Sequence, residues 1–267
     1  VRPRVGCVPY LNARPLADYL ELPEVADRVE LVYDTPARLA AALRLGDLQV
    51  AMVSSYELLT RPGLQLVPGA SISSRGKVRS VRLFSKVPFE RIESLALDSG
   101  SLTSTHLAQV LLSELYDCRP ILSSEPPDPA AMLARNDACV LIGDIGMSAP
   151  SEGLHVMDLG EAWAELTGAP FVWAAWIGEA PIAPELCALL LEARHWGVRR
   201  LRQLAEKHAR RLGWDPAVCS SYLIDTMEFD LTPAHTQALE LFQTLCITHG
   251  LLQSRHPLTV APAPQLA

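Results

Sequence analysis

The chain has 267 residues, 49% hydrophobic and 20% charged, which is an ordinary globular composition with room for one large domain or two small ones. Its formal net charge is −7 and no basic stripe is interleaved with aromatics, so nucleic acid is not an expected partner. No apolar run reaches the roughly 18 residues needed to span a bilayer, so no membrane partner is expected either.

Val1-Arg2-Pro3-Arg4 gives a basic start, but Asn12 and Arg14 interrupt the apolar stretch that a signal peptide would require. The expected location is the cytoplasm, although a processed mature chain would read the same. Arg4 to Val8 reads as a buried strand. The loop Pro9 to Arg14 follows, and Pro15 opens a helix through Leu20. Val29 to Tyr33 is a second strand. Thr35-Pro36 is an N-cap followed by Pro at the first helical position, Ala37 to Leu45 is rich in helix formers, and Gly46 stops that helix. Leu48 to Val53 is a third strand ending on Ser54-Ser55, with a helix from Tyr56 to Leu59. This alternation indicates a parallel sheet with covering helices.

Val78 to Phe84 reads as a strand interrupted by Arg79 and Arg82. Ser94 to Asp98 is another, running into a hydroxyl-rich segment and then a helix from His106 to Tyr116. Ala138 to Ile142 is a short apolar strand ending at Gly143-Asp144, and Phe171 to Ile177 is a strand rich in aromatics. From Pro184 to about His249 the chain is mostly helical. The tail from Pro257, with Pro262 and Pro264, reads as a loose extension. The expected architecture is α/β with two lobes. Residues 1–86 and 177–267 form one discontinuous lobe, residues 87–176 form an inserted second lobe, and the strands near Val78–Phe84 and Phe171–Ile177 cross between them.

The six cysteines, Cys7, Cys118, Cys139, Cys187, Cys219 and Cys246, are scattered without a Cys-x-x-Cys pair, which fits buried reduced thiols. The histidines show no zinc spacing, so no metal is expected. There is no Gly-x-Ser-x-Gly elbow, no Walker loop and no dinucleotide fingerprint. Trp163, Phe171, Trp173 and Trp176 read as cleft-lining aromatics or, for most of them, as core packing.

Several polar groups fall at the carboxyl ends of strands, where open α/β sheets place ligands. Asp98 to Thr105 joins a strand to a helix start, and its hydroxyls meet unpaired helix N–H groups that can receive a carboxylate or phosphate. The alternative is an over-provided N-cap, which needs only one of those hydroxyls; anion binding is the favoured reading. Ser54-Ser55 reads equally as a polar subsite or as the N-cap of the next helix. Asn12 reads as a turn former or as a binder of a hydroxyl or carboxylate. Asp144, Asp98 and Asp158 read as caps, bases or hydroxyl acceptors, and Glu57 as a first-turn residue. These residues describe a protein for a small anionic ligand, and by themselves they name neither the ligand nor a reaction. With the global charge negative, such a ligand must be held by local donors.

Taken in order, several segments together resemble one family. They are Pro9-Tyr10-Leu11-Asn12-Ala13-Arg14-Pro15-Leu16, Asp34-Thr35-Pro36 with Leu45-Gly46-Asp47-Leu48, and Arg79-Ser80-Val81 with Phe84-Ser85. Ser101 to Ser104, Val140-Leu141-Ile142-Gly143-Asp144, Asp158-Leu159-Gly160, Trp163 and Leu166 to Val172 continue the match. The family is chorismate dehydratase of the futalosine route to menaquinone. The resemblance implies a type II periplasmic-binding-protein-like fold with a ligand cleft between the lobes. It implies loss of water from chorismate to give 3-[(1-carboxyvinyl)oxy]benzoate, with no cofactor. By motif position it marks Asn12 and Ser80 as catalytic. Ser54, Ser101, Thr103, Ser104 and Asp144 become expected substrate contacts, and the substrate's own enolpyruvyl carboxylate a candidate base. The sister enzyme that makes 1,4-dihydroxy-6-naphthoate is less similar, since it has a different opening loop and a His where this chain reads Ile142-Gly143-Asp144. A solute-binding protein or a ligand sensor shares the fold and stands as the alternative of another class.

Overall fold

A computed structural model describes residues 2–98, 100 and 102–263 of the chain. Among these residues the strands are β1 (Arg4–Cys7), β2 (Glu30–Tyr33), β3 (Val50–Ser54), β4 (Leu64–Ser74), β5 (Arg82–Ser85), β6 (Ser94–Asp98), β7 (Ile121–Glu125), β8 (Ala138–Leu141), β9 (His155–Asp158), β10 (Phe171–Glu179), β11 (Met227–Glu228) and β12 (Thr259–Val260). The chain divides into two compact units.

The first unit comprises the chain up to Ser73, Val172–Thr236 and the segment from His256 on. Its sheet has the order β11-β4-β10-β3-β1-β2, with β12 added on β4. β1 is parallel to both β2 and β3, and β10 runs antiparallel to β3. Three parallel strands therefore end at one edge, and the segments that follow them, at Val8, Asp34 and Ser55, emerge together. Val50 to Val53 are buried without alternation, as a strand covered on both faces must be. The covering helix Pro36–Arg44 buries Leu39, Ala40 and Leu43, which share one face at a helical spacing. Gly46, at φ 76, takes the left-handed conformation that ends it. Thr35 holds the N-cap position without a side-chain capping bond.

The second unit comprises Ser74–Phe171 and Gln237–Arg255. Its sheet has the order β7-β6-β8-β5-β9, with β6 parallel to β7 and β8, and β5 antiparallel to β8 and β9. The helix Leu102–Tyr116 buries Leu107, Ala108, Val110, Leu111 and Leu112. Trp163, Phe171 and Phe242 meet edge to face, with ring centroids 5.1 to 6.0 Å apart. The Trp163 indole N–H donates to the Pro170 carbonyl at 3.1 Å.

Sequence and structure differ at several points. The expected lobe boundaries at 86/87 and 176/177 shift to Ser73/Ser74 and Phe171/Val172, because β5 pairs with β8 and β9 inside the second sheet. That unit also takes Gln237–Arg255, which carries Phe242 into the aromatic cluster. The expected strand Val78 to Phe84 shortens to Arg82–Ser85, because the backbone turns sharply at Arg79. The eleven-residue β4 has no counterpart in the sequence reading, since Pro68-Gly69 falls in its middle and breaks the pattern. β7 and the helix Pro129–Arg135 were likewise not expected. The tail is not wholly loose: β12 pairs in parallel with β4, and buried Ala261 donates its N–H to Leu66. All six cysteines are buried free thiols, and Trp163, Phe171, Trp173 and Trp176 are core residues, as expected.

Candidate functional site

The seven residues marked by the sequence fall into two groups. Asn12 and Ser54 belong to the first unit. Ser80, Thr103, Ser104 and Asp144 belong to the second, and Ser101 lies outside the described residues.

In the first unit the edge is built after β1. Leu11–Ala13 makes one 3₁₀ turn that continues into the helix Arg14–Ala17. Leu11, Ala13, Leu16 and Ala17 are all buried and pin this segment, which leaves Asn12 half-buried between anchors. Its Nδ2 donates to the Tyr222 hydroxyl at 3.2 Å. Its Oδ1 is buried and has no hydrogen-bond partner among the described residues. A buried acceptor left unmatched is costly, so such atoms in native proteins call for a reason. Tyr222 opens a π-helical segment, Tyr222–Thr226, a geometry that recurs at functional sites. No local feature of the sequence pointed to it, since its partner lies 210 residues away.

Arg14 holds this loop from behind. Its guanidinium donates to the Pro9 carbonyl at 3.2 Å and the Tyr33 hydroxyl at 3.0 Å, approaches Glu21 at 3.3 Å, and stacks over the Tyr33 ring at 4.7 Å. Both of its terminal nitrogens are thus engaged within the fold. The buried Asp18 carboxylate accepts from Lys207 Nζ at 2.6 Å and from His208 Nε2 at 2.7 Å. Ser54, at the end of β3, uses its Oγ to accept from the Tyr56 N–H at 3.3 Å, so its capping role is realised. Glu57 is buried in that helix's first turn and is bound by Arg44 at 2.6 Å.

In the second unit the strand registers bring one edge together. Arg82 of β5 stands opposite Leu141 of β8 and opposite Asp158 of β9, and β6 ends beside β8. Ser80, just before β5, therefore shares this edge with Asp98, with the start of the helix Leu102–Tyr116, and with Gly143-Asp144. Ser80, Thr103 and Ser104 are buried, and Asp144 is half-buried in the first turn of the helix Gly143–Ser148. Burial pushes the Asp98 carboxyl above the ordinary value, and its oxygens already bind the Gly100 N–H at 2.8 Å and the Ile142 backbone. Asp98 thus ties the two loops of this edge to each other. Arg82 donates to the carbonyls of Gly146 at 2.7 Å and Met147 at 3.0 Å, finishing the short helix Gly143–Ser148. Asp158 caps the helix Leu159–Thr167 and also binds the turn before Ser80. The sequence offered the cap as one of its uses and gave no sign of the second.

The fold is shared with proteins of known structure. A protein of Archaeoglobus fulgidus superposes with a TM-score of 0.74 at 15% identity, covering 94% of this chain and 98% of its own. The periplasmic aliphatic sulphonate binding protein of Escherichia coli gives 0.64 at 15% identity, covering 100% and 95%. A Candida albicans protein described as having the generic periplasmic binding protein fold gives 0.65 at 10% identity, covering 100% and 98%. These likenesses establish a periplasmic-binding-protein-like fold and nothing further. In sequence, the chain is 32% identical over 249 residues to a chorismate dehydratase of Thermus thermophilus, covering 84% of this chain and 88% of that protein. Residues 3–247 match the model of a family described as menaquinone biosynthesis. The chain belongs to the menaquinone biosynthesis family.

Proposed function

We propose that this protein is an enzyme that dehydrates chorismate to 3-[(1-carboxyvinyl)oxy]benzoate for menaquinone biosynthesis, a hydro-lyase of the futalosine route. The observation that carries this reading is the 32% identity to chorismate dehydratase across most of both chains. The chemistry explains why so few functional groups are needed. The ring hydrogen that leaves is activated through the conjugated system by the ring carboxylate. Its loss together with the neighbouring hydroxyl makes the ring aromatic, and the atoms balance as one water. Orientation and help for the departing hydroxyl then suffice.

Asn12 supports that role with a buried acceptor, Oδ1, which orients the substrate hydroxyl, while Nδ2 is held by Tyr222. Ser80 holds a substrate carboxylate. The base is the substrate's enolpyruvyl carboxylate, because the best-placed buried acid, Asp98, already spends its oxygens on backbone N–H groups. Ser54, Thr103, Ser104 and Asp144 complete the substrate contacts. Among the described residues no helix is long and apolar enough to cross a membrane. On the likeness to a biosynthetic enzyme we assign the reaction to the cytoplasm.

Incubation of the purified protein with chorismate, followed by ultraviolet absorption and mass analysis, tests the reading. An aromatic product lighter by one water is expected. Tight binding of unchanged chorismate would instead establish a carrier or sensor.

A further inference from the structure

The backbone before Ser80 is under strain, and one carboxylate holds it there. Ser80 N–H donates to the Val78 carbonyl at 2.8 Å, an i to i+2 bond that closes a γ-turn around Arg79. Arg79 sits at φ 66, a left-handed value that a non-glycine residue adopts only at a cost. Outliers of this kind persist only where the surroundings over-determine them, and they gather at functional sites. The surroundings here are specific. Asp158 Oδ1 accepts from the Val78 N–H at 2.9 Å, and its Oδ2 accepts from the Arg79 N–H at 2.6 Å. The same Oδ1 accepts from Gly160 at 3.0 Å and Glu161 at 3.1 Å, at the start of the helix Leu159–Thr167. One buried carboxylate thus carries four N–H groups and fixes the γ-turn to a helix terminus. Gly146 closes the other side, where an added Cβ would lie 2.4 Å from the Ser80 carbonyl oxygen.

We infer that Asp158 is the positioning residue for Ser80, holding the strained γ-turn at Arg79 so that the serine is presented in one geometry. This rests on the reading that Ser80 acts on the substrate. Capping the helix requires only Oδ1. The bond from Oδ2 to Arg79 serves the turn alone, and the two functions of Asp158 are therefore separable.

Asp158→Asn separates them. With its amide oxygen retained at the Oδ1 position, asparagine keeps the Val78, Gly160 and Glu161 bonds and remains a good N-cap. Its Nδ2–H groups then face the Arg79 N–H, donor against donor, and the turn loses its second anchor. Adding Arg79→Gly removes the penalty at φ 66, so the turn can form without that anchor. The expected result for Asp158→Asn is a fall in kcat of about tenfold or more, since small misplacements of a positioning group have effects of that order. The protein should stay folded with a lowered thermal midpoint, KM should stay near wild type, and Asp158→Asn/Arg79→Gly should regain most of the lost kcat. Wild-type kcat in Asp158→Asn, or a double variant no faster than the single one, would overturn the inference while leaving the chorismate reading intact. Ser80→Ala is measured beside them: full turnover in that variant would overturn both Ser80's role and the positioning that depends on it.

Discussion

Asn12 gives its amide N–H to the Tyr222 hydroxyl at 3.2 Å, joining the first loop of the chain to a π-helical segment 210 residues later. The bond fixes which way the Asn12 amide faces, and so where the buried Oδ1 acceptor stands. Tyr222→Phe removes that control without removing bulk. Since a single neutral hydrogen bond contributes about 1 kcal/mol, kcat should fall by roughly three- to tenfold with folding retained. Asn12→Ala removes the acceptor itself and should cost on the order of a hundredfold in kcat. Steady-state kinetics with chorismate checks both. Equal turnover in Tyr222→Phe and wild type would show that the phenol does not orient the amide.

Ser80 and Gly146 form a second test of placement. Ser80→Ala deletes one hydroxyl from a buried position and should cost about 1 kcal/mol of stability, while kcat drops on the order of a hundredfold. Gly146→Ala keeps the serine but puts a methyl group 2.4 Å from the Ser80 carbonyl and 2.7 Å from that of Leu141. Neither is the tip of a flexible side chain, so the backbone must move. We expect a loss of about 1–3 kcal/mol in stability, read by urea unfolding, together with reduced turnover. An active and fully stable Gly146→Ala protein would show that this edge tolerates displacement.

Position at a strand edge was legible in the sequence where it follows from a local pattern, and not where it follows from distant contacts. Asn12 and Ser54 were placed because β1 and β3 are short apolar runs that end in polar residues, and parallel pairing brings such ends to one edge. Thr103, Ser104 and Asp144 were legible in the same way. Tyr222 was not, because nothing near it in the chain differs from an ordinary helical tyrosine. The turn at Arg79 was hidden for the opposite reason: Val78, Val81, Leu83 and Phe84 around the two arginines look like a strand, and only the Val78 and Arg79 N–H groups turning to Asp158 bend the chain out of it. The lobe boundaries moved because a boundary is set by which sheet a strand joins, and β5 carries no residue that marks its sheet. Phe242 was equally opaque, one apolar helical position among many until Trp163 and Phe171 meet it.

The thiols make a prediction about redox state. All six cysteines are free and buried, and burial pushes the Cys7, Cys139 and Cys246 thiols up to about 12. The thiolate is the reactive form, so the native protein at pH 8 should react slowly with a colorimetric thiol reagent. After denaturation all six should react at once. A count of four after denaturation without reductant would reveal a disulfide that the structure does not contain.

Asp18 links acid stability to the loop that carries Asn12. Burial opposes its charge, but hydrogen bonds from His208 and Lys207 outweigh that cost and hold the carboxyl below its ordinary value. Arg14, which grips the Pro9 carbonyl, lies 3.7 Å from the same carboxylate. The folded value lies below the unfolded one, near 3.9. The stability this group contributes is therefore fully present above the unfolded value and is lost as pH falls through the folded value. Asp18→Asn leaves the Lys207 and Arg14 cations beside a neutral amide and should cost about 3 kcal/mol at pH 7. The difference from wild type should stay constant between pH 7 and about pH 5, then narrow as the wild-type carboxyl takes up its proton. Urea unfolding of both proteins at a series of pH values measures this directly. A difference that stayed constant down to pH 3 would mean that the loss comes from packing rather than from the charge. In that case Asp18 would brace the Pro9–Asn12 loop by shape alone.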